Sequence, residues 1–291
     1  MGEDGILPAD GKSRRSVKIN YITLATKNIA GRRYRMERIG EYIGDYVISQ
    51  FPAPADIHVM TKPFTNNELI LESYLDRAKT LNFIFDISDP RFSDYTKKMM
   101  EMALAVTVPT KVMAELVKEC SGIEAIIIPD TYEFDEKPIK DISEPKVMWF
   151  GHYSNLKYLD VDYPVDVLTT VLDKKTIKSN YTIIPWSIEN MKSAFDRNNV
   201  VVIPSECEWK SPNRVIESIR QGLSVVASPI ESYKEFDITF NDNMNLDNIK
   251  QTTPELQKYV RDNFNISVIG DKWKQLFDRV SSSTLDVAAG F

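Results

Sequence analysis

The stretch from Val200 to Ser228, VVVIPSECEWKSPNRVIESIRQGLSVVAS, concentrates the residue types that could bind an anion. Val200 to Ile203 is a short apolar run ending at Pro204, the pattern of a strand buried on both faces of a parallel sheet. A polar loop follows. Ser211 then stands where a helix N-cap is expected and Pro212 at the first helical position, where its missing N–H costs nothing. The free amides of such a first turn, around Asn213, together with the helix dipole, favour negative charge, and Lys210 and Arg214 bracket the turn with cations. Glu217 lies two turns in from the cap, in reach of a ribose hydroxyl once phosphates are seated. An ordinary capped helix of an α/β domain is the competing reading of the segment.

A second charged cluster opens the first helix. Arg32, Arg33, Arg35 and Arg38 crowd its start, after Gly31 and around Tyr34, with Glu37 alone opposing them. Cations at a helix N-terminus oppose the dipole, so something other than helix stability places them. Arg33 and Arg35 are not both expected to face the core. Either could reach an anionic ligand, with a solvated charged face as the alternative. Asp86 and Asp89 follow a strand-like run but are separated by two residues, not the single residue of a DxD metal pair. With two histidines, His58 and His152, and with Cys120 and Cys207 far apart, no metal-ligand spacing exists and no metal site is expected.

Apolar runs at 17–25, 55–60, 81–87, 104–109 and 124–129 recur with room for a helix in most gaps, which predicts parallel strands with helical crossovers. Helical stripes place Met36, Ile39, Ile43 and Val47 on one face of 35–48, and Val112, Leu116 and Val117 on one face of 111–120. The segment 131–145 is charged, carries two prolines and lacks periodicity, so it reads as a linker. Beyond it the series restarts with runs at 146–151, 181–185, 200–204 and 223–228, and a clear helix from Ile188 to Arg197. Two α/β series joined by a linker predict two Rossmann-like domains, with a single doubly wound domain as the alternative. The expected division is a flexible lead-in at 1–16, an N-terminal domain at 17–135, a C-terminal domain at 145–265, and a final helix and tail at 266–291.

At 291 residues the chain can build two ordinary domains. A net charge of -6 argues against nonspecific coating of nucleic acid. Two distant cysteines fit a reducing, cytoplasmic compartment. No apolar stretch approaches the ~20 residues needed to span a bilayer, and no secretory signal opens the sequence.

The order KVMWFGHYSNLKYL, YTIIPWSIENM, VVVIPSECEWKSPNRVIESIRQGLSVVASP resembles the donor-binding half of GT-B glycosyltransferases, in particular the retaining, metal-independent group that includes glycogen-synthase-like (family 4-like) enzymes. The likeness runs from about 18 to 280. FDISDPRFSDY and AVTVPTKVMAELV resemble the late strands of the family's acceptor domain, and ATKNIAGRRYRMERIGEYI its first strand-to-helix loop. In the family a Glu five residues before a Gly binds the donor ribose, which is Glu217 before Gly222 here. The family's preceding Glu is replaced by Trp209, with Glu208 beside it. The Arg and Lys that follow the first strand of the donor domain correspond to His152 and Lys157.

The resemblance implies a nucleotide-diphosphate sugar as co-substrate, no further cofactor and no metal. Lys157, Lys210 and Arg214 would serve the diphosphate. Pro185, Trp186 and Ser187, after the second strand of that domain, would meet the base. Gly31, Arg33, Tyr34, Arg35, Asp86 and Asp89 would lie on the acceptor or phosphate side. The acceptor stays open between a glycan, a small molecule and a hydroxylated base in phage DNA, and the oligomeric state is open too. A nucleotide-sugar epimerase of the same architecture and a noncatalytic nucleotide-binding scaffold are the alternatives. The family also implies that the last helical stripe, Val268 to Val280, crosses back to the first domain with Trp273 against its sheet.

Overall fold

The computed structural model describes residues 17–26, 29–61, 67–170 and 178–288, with side chains to 282. The expected lead-in at 1–16 lies outside them.

Two parallel six-stranded sheets organise the chain. The first holds β1 (Ile19–Ile22), β2 (Tyr46–Ser49), β3 (Ile57–Thr61), β4 (Phe83–Asp86), β5 (Ala105–Val108) and β6 (Ile126–Ile127), in the order β2-β1-β3-β4-β5-β6. The second holds β7 (Val147–Phe150), β8 (Val165–Thr169), β9 (Tyr181–Pro185), β10 (Val200–Ile203), β11 (Ser224–Ala227) and β12 (Thr239–Phe240), in the order β12-β11-β10-β7-β8-β9. Strands β1, β3, β4, β7, β10 and β11 are buried along their whole length, because both sheet faces are covered. Each sheet accordingly has two apolar clusters, one per face.

The crossovers carry α3 (Glu68–Ala78), α4 (Asp94–Met102), α5 (Lys111–Ser121), α6 (Ile188–Arg197) and α7 (Asn213–Arg220). Their starts are chemically marked: Asn67, Ser93, Thr110 and Ser187 each accept a backbone N–H from the first turn of α3, α4, α5 and α6. After the second sheet come α8 (Pro254–Phe264), with Thr253 as its cap, and α9 (Ile266–Ala288).

The first helix differs from its expected form. It runs as α1 (Ala30–Arg32), a π-turn (Arg33–Glu37) and α2 (Arg38–Ile43), and it stops at Gly44, whose φ of 100° suits glycine. Val47, expected on the helical stripe, is instead in the edge strand β2. Strands β8 and β12 were also not anticipated.

α9 returns to the first domain, as expected. Ile269, Trp273, Leu276, Phe277 and Val280 share a core with Ile19, Tyr21, Met36, Ile57 and Ile84. At Gly270 the helix passes so close to α2 that an added Cβ would sit 2.2 Å from the Tyr42 ring, and the Tyr42 hydroxyl donates to Asp271 at 2.8 Å. The linker has no regular structure but is laid along the second domain: the Lys137 and Lys140 amides donate to the carbonyls of Arg220 and Gly222, and Phe134 is in that domain's core.

Candidate functional site

In the second sheet the chain leaves β7 first to one side and then to the other, so the topological switch point lies between β7 and β10. Ligands of such sheets bind beyond the carboxyl ends of the strands at that point. Gly151 and His152 follow β7 there, and the loop 204–212 follows β10.

Lys210 and Arg214 meet at this crevice. Arg214 is buried, donates from Nη1 to the Phe150 carbonyl at 3.2 Å, and comes close enough to Gly151 that an added Cβ would stand 3.3 Å from the same nitrogen. Lys210 is half-buried, its ammonium 5.3 Å from the Trp209 ring centroid. Desolvation lowers the Lys210 pKa, and the neighbouring Arg214 charge lowers it further. Among the described residues neither cation forms a salt bridge with a carboxylate. Two adjacent, partly desolvated cations without such a partner form an anion-binding arrangement. The first-turn amides of α7 at Asn213, Arg214 and Val215 have no acceptor within the helix and add donors to it.

The cap differs from expectation. Helix α7 starts at Asn213 with Pro212 at the N-cap and no side-chain cap. The Ser211 hydroxyl is used elsewhere, donating to Asp130 Oδ2 at 2.6 Å. Trp209 turns across to the first domain and packs on the cluster that contains Ile22, Phe85 and Val108, while the Thr110 hydroxyl donates to its carbonyl at 3.4 Å. Glu208 accepts the Glu231 amide at 2.6 Å.

Glu217 is fully buried. Its Oε1 accepts the Glu133 amide, and Oε2 has no hydrogen-bond partner. Burial raises its pKa to about 8, against the opposing pull of the Glu133 amide. The carboxyl is thus covered by the linker in this structure, so the expected ribose contact is not open to a ligand here.

The remaining residues after β7 and β9 divide between the surface and the edge of the core. His152 is exposed and caps a 3-10 turn (Tyr153–Tyr158) through Nδ1 and the Ser154 amide. Lys157, on that turn, is exposed with its ammonium 4.7 Å from the Tyr158 ring centroid. Pro185 ends β9 exposed, and the Ser187 hydroxyl caps α6. Trp186 is half-buried against the second domain's core.

The arginine cluster resolves into three roles. Arg35, expected near phosphate or acceptor, is turned inward. It forms a bidentate pair with Asp86, with Nη2 to Oδ1 at 2.6 Å and Nε to Oδ2 at 2.9 Å, and its Nη1 donates to the Ile128 carbonyl at 2.6 Å and to Asp130 Oδ1 at 3.1 Å. Asp86 also accepts from Thr107 at 2.7 Å, so this carboxylate is spent inside the first domain and is not offered to an acceptor or a metal. Arg33 is buried too, paired with Glu133 at 2.9 Å. Arg32 pairs with Glu37 at 3.0 Å. The two arginines diverge as expected: Arg35 enters the first domain's interior, while Arg33, though buried, points across to Glu133 and to Trp186 of the second domain. The wider π-turn buries four successive residues, Arg33, Tyr34, Arg35 and Met36. Gly31 has open space around it. Asp89 accepts the Arg91 amide at 2.9 Å and lies in the electrostatic field of Lys210.

Sequence reasoning missed Asp130, Glu133 and Thr110. Each touches a predicted site residue from at least 81 positions away in sequence, so no local pattern marks them.

Two Rossmann-like domains facing each other across a cleft, with the last helix returning to the first domain, define the GT-B fold. Solved structures share it. The chain is similar to Anabaena HepE in complex with UDP and glucose, at a TM-score of 0.67 and 11% identity over 90% of this chain and 100% of that one. It is also similar to Anabaena HepE in complex with UDP-glucose, at a TM-score of 0.60 and 11% identity over 92% and 100%. UDP-GlcNAc 2-epimerase from Methanocaldococcus jannaschii gives a TM-score of 0.48 at 10% identity over 90% and 99%. No protein-family profile matches the chain, and no curated protein is similar to it in sequence. No described helix is long and apolar enough to cross a membrane.

Proposed function

We propose that the chain is a glycosyltransferase that moves a sugar from a nucleoside diphosphate sugar to an acceptor hydroxyl, without a metal and with retention of anomeric configuration, in the reducing cytoplasm. The observation that carries this is the Lys210–Arg214 pair at the mouth of α7, at the switch point of the second sheet. Breaking the anomeric C–O bond leaves negative charge on the departing diphosphate, and stabilising that charge is the main catalytic task. Lys210, Arg214 and the α7 amides supply it with positive groups already in place.

Retention is supported by how the nearby carboxylates are used. Asp86 is held by Arg35, Glu208 by the Glu231 amide, and Glu217 is buried on the Glu133 amide. None of these three is aimed at an acceptor, and this reading assigns the acceptor's proton to the departing phosphate, with Asp89 beside Lys210 as the competing base. Trp186 is the proposed base contact, and Glu217 Oε2 is the proposed ribose contact once the linker that covers it is displaced. HepE binds UDP-glucose, which makes that compound the first donor to test.

The test is a thermal-shift and donor-hydrolysis screen with UDP-, GDP-, ADP- and dTDP-sugars, with and without excess EDTA, followed by NMR of the product anomer. One nucleotide should stabilise the protein and its sugar should turn over in EDTA with retained configuration. A strict metal requirement or an inverted product would refute the mechanism, and no stabilisation by any nucleotide would refute the class.

A further inference from the structure

One carboxylate touches both domains. Asp130 lies just after β6, where the chain leaves the first sheet, and it is buried. Its Oδ1 accepts from Arg35 Nη1 at 3.1 Å and its Oδ2 from the Ser211 hydroxyl at 2.6 Å. Arg35 is in turn fixed by the bidentate pair with Asp86 and lies 5.4 Å from the ring centroid of Trp273 in α9. Ser211 stands between Lys210 and the first turn of α7. The same loop is held to the first domain one residue from the lysine, through the Trp209 ring and the Trp209 carbonyl.

We propose that Asp130 is a positioning residue: through Ser211 it locks the β10–α7 loop onto the first domain and thereby sets the spacing of the Lys210 and Arg214 cations for a diphosphate. The charge on Asp130 is what makes the lock strong, since a hydroxyl donating to a carboxylate at 2.6 Å is a charge-assisted bond. Arg35, bound to the other carboxylate oxygen, keeps the group aimed at Ser211. A phosphate-bearing ligand therefore meets a preformed cation pair when the domains are together, and a looser pair when they part. The effect on ligand binding rests on the reading of Lys210 and Arg214 as an anion site; the lock on the loop does not.

The experiment uses the full chain, inorganic pyrophosphate as probe, and the variants Ser211→Ala, Asp130→Ala and their combination. In Asp130→Ala the guanidinium of Arg35 keeps Asp86 and the Ile128 carbonyl, so the buried charge stays compensated. Each single variant should weaken pyrophosphate binding about tenfold, the size of one charge-assisted bond, and the double variant should be no weaker than either single. Amides of 205–213 should exchange faster with solvent in all three, and Ser211→Thr should restore both readouts. Asp130→Ala with wild-type affinity would mean that Ser211 acts by itself, and additive losses would mean that the two residues are independent; either overturns the proposal. Wild-type exchange in Ser211→Ala, which needs no ligand and no second variant, overturns it as well. Failure of the functional reading is seen separately, in wild-type protein that binds neither pyrophosphate nor any nucleotide.

Discussion

The guanidinium of Arg33, carried by the first domain, lies 4.9 Å from the ring centroid of Trp186 in the second. Glu133, at the start of the linker, holds it there through Nε at 2.9 Å. A cation over an indole face contributes about 0.5–2 kcal/mol, more as water is excluded. Trp186 thus lies between Arg33 and the second domain's core, and the proposed base contact would use only the part of the ring left exposed. Trp186→Ala should weaken UDP binding by about tenfold or more, the usual cost of losing a stacking partner, while leaving pyrophosphate affinity within about twofold. Titration calorimetry with both ligands checks this. Equal losses for the two would show that Trp186 acts through domain placement and not through the base.

Lys210→Ala and Arg214→Ala should each weaken pyrophosphate and UDP alike, by about tenfold to a hundredfold, because a charge-assisted contact contributes about 1.5–3 kcal/mol. Arg214→Lys should not restore affinity, since the guanidinium also spans to the Phe150 carbonyl and a point charge cannot do both. A Lys210 or Arg214 variant with wild-type affinity in calorimetry would move the phosphate site elsewhere.

What could be read from sequence divides by range. The α7 cations were legible because strand, loop and helix follow one another within 25 residues, each with local marks. The buried strands were legible as apolar runs. Strand β2 was not, since Ile43 and Val47 continue the helical spacing of Met36 and Ile39 and only Gly44 interrupts it. Strand β8 is hidden by Asp166, its second residue, which the fold accommodates by pairing it with Arg197 at 2.6 Å. The fates of Arg33, Arg35 and Ser211 are set by Glu133, Asp86 and Asp130, partners 100, 51 and 81 positions away, and by a π-turn that no period of 3.6 foretells.

The buried acid on α7 makes stability pH-dependent in a specific direction. Glu217 has a folded-state pKa of about 8 against an ordinary 4.5, so the folded chain holds a proton that the unfolded chain releases. Its contribution is most favourable below about pH 4.5, falls as pH rises toward 8, and levels off above, with a slope of at most about 1.4 kcal/mol per pH unit. Glu217→Gln keeps an oxygen for the Glu133 amide and cannot ionise. Urea unfolding at several pH values should show the variant gaining on wild type from pH 5 to pH 8. A constant difference across that range would mean that the carboxyl ionises normally.

Gly222 is demanded twice over. Its φ is +71°, and an added Cβ would lie 2.1 Å from the Pro138 carbonyl oxygen. The linker cannot retreat easily, because the Lys140 amide donates to the Gly222 carbonyl at 3.0 Å and the Lys137 amide to that of Arg220 at 2.9 Å. Gly222→Ala should cost about 3 kcal/mol or more, combining left-handed strain with displacement of backbone. Chemical denaturation measures it, and a loss below about 1 kcal/mol would show that the linker is free to move.

The last helix ties the domains by supplying core to the first. Trp273 is fully buried, stacks on Phe277 with ring centroids 5.5 Å apart, and carries Arg35 over its face. Replacing a buried tryptophan by alanine costs about 3–5 kcal/mol through lost transfer energy and a residual cavity. Truncation after Ser267 removes Trp273 together with Ile269, Leu276, Phe277 and Val280, and so exposes the faces of Ile19, Tyr21, Met36 and Ile57 that they cover. The truncated chain should therefore lose the first domain's cooperative unfolding and catalytic turnover, while α7, Lys210 and Arg214 remain encoded in full. Trp273→Phe, which keeps an aromatic surface against Arg35, should retain most of the stability that Trp273→Ala loses. Calorimetric scans of the three proteins test the point: a truncated chain that unfolds like wild type would show that α9 covers the first domain without holding it together.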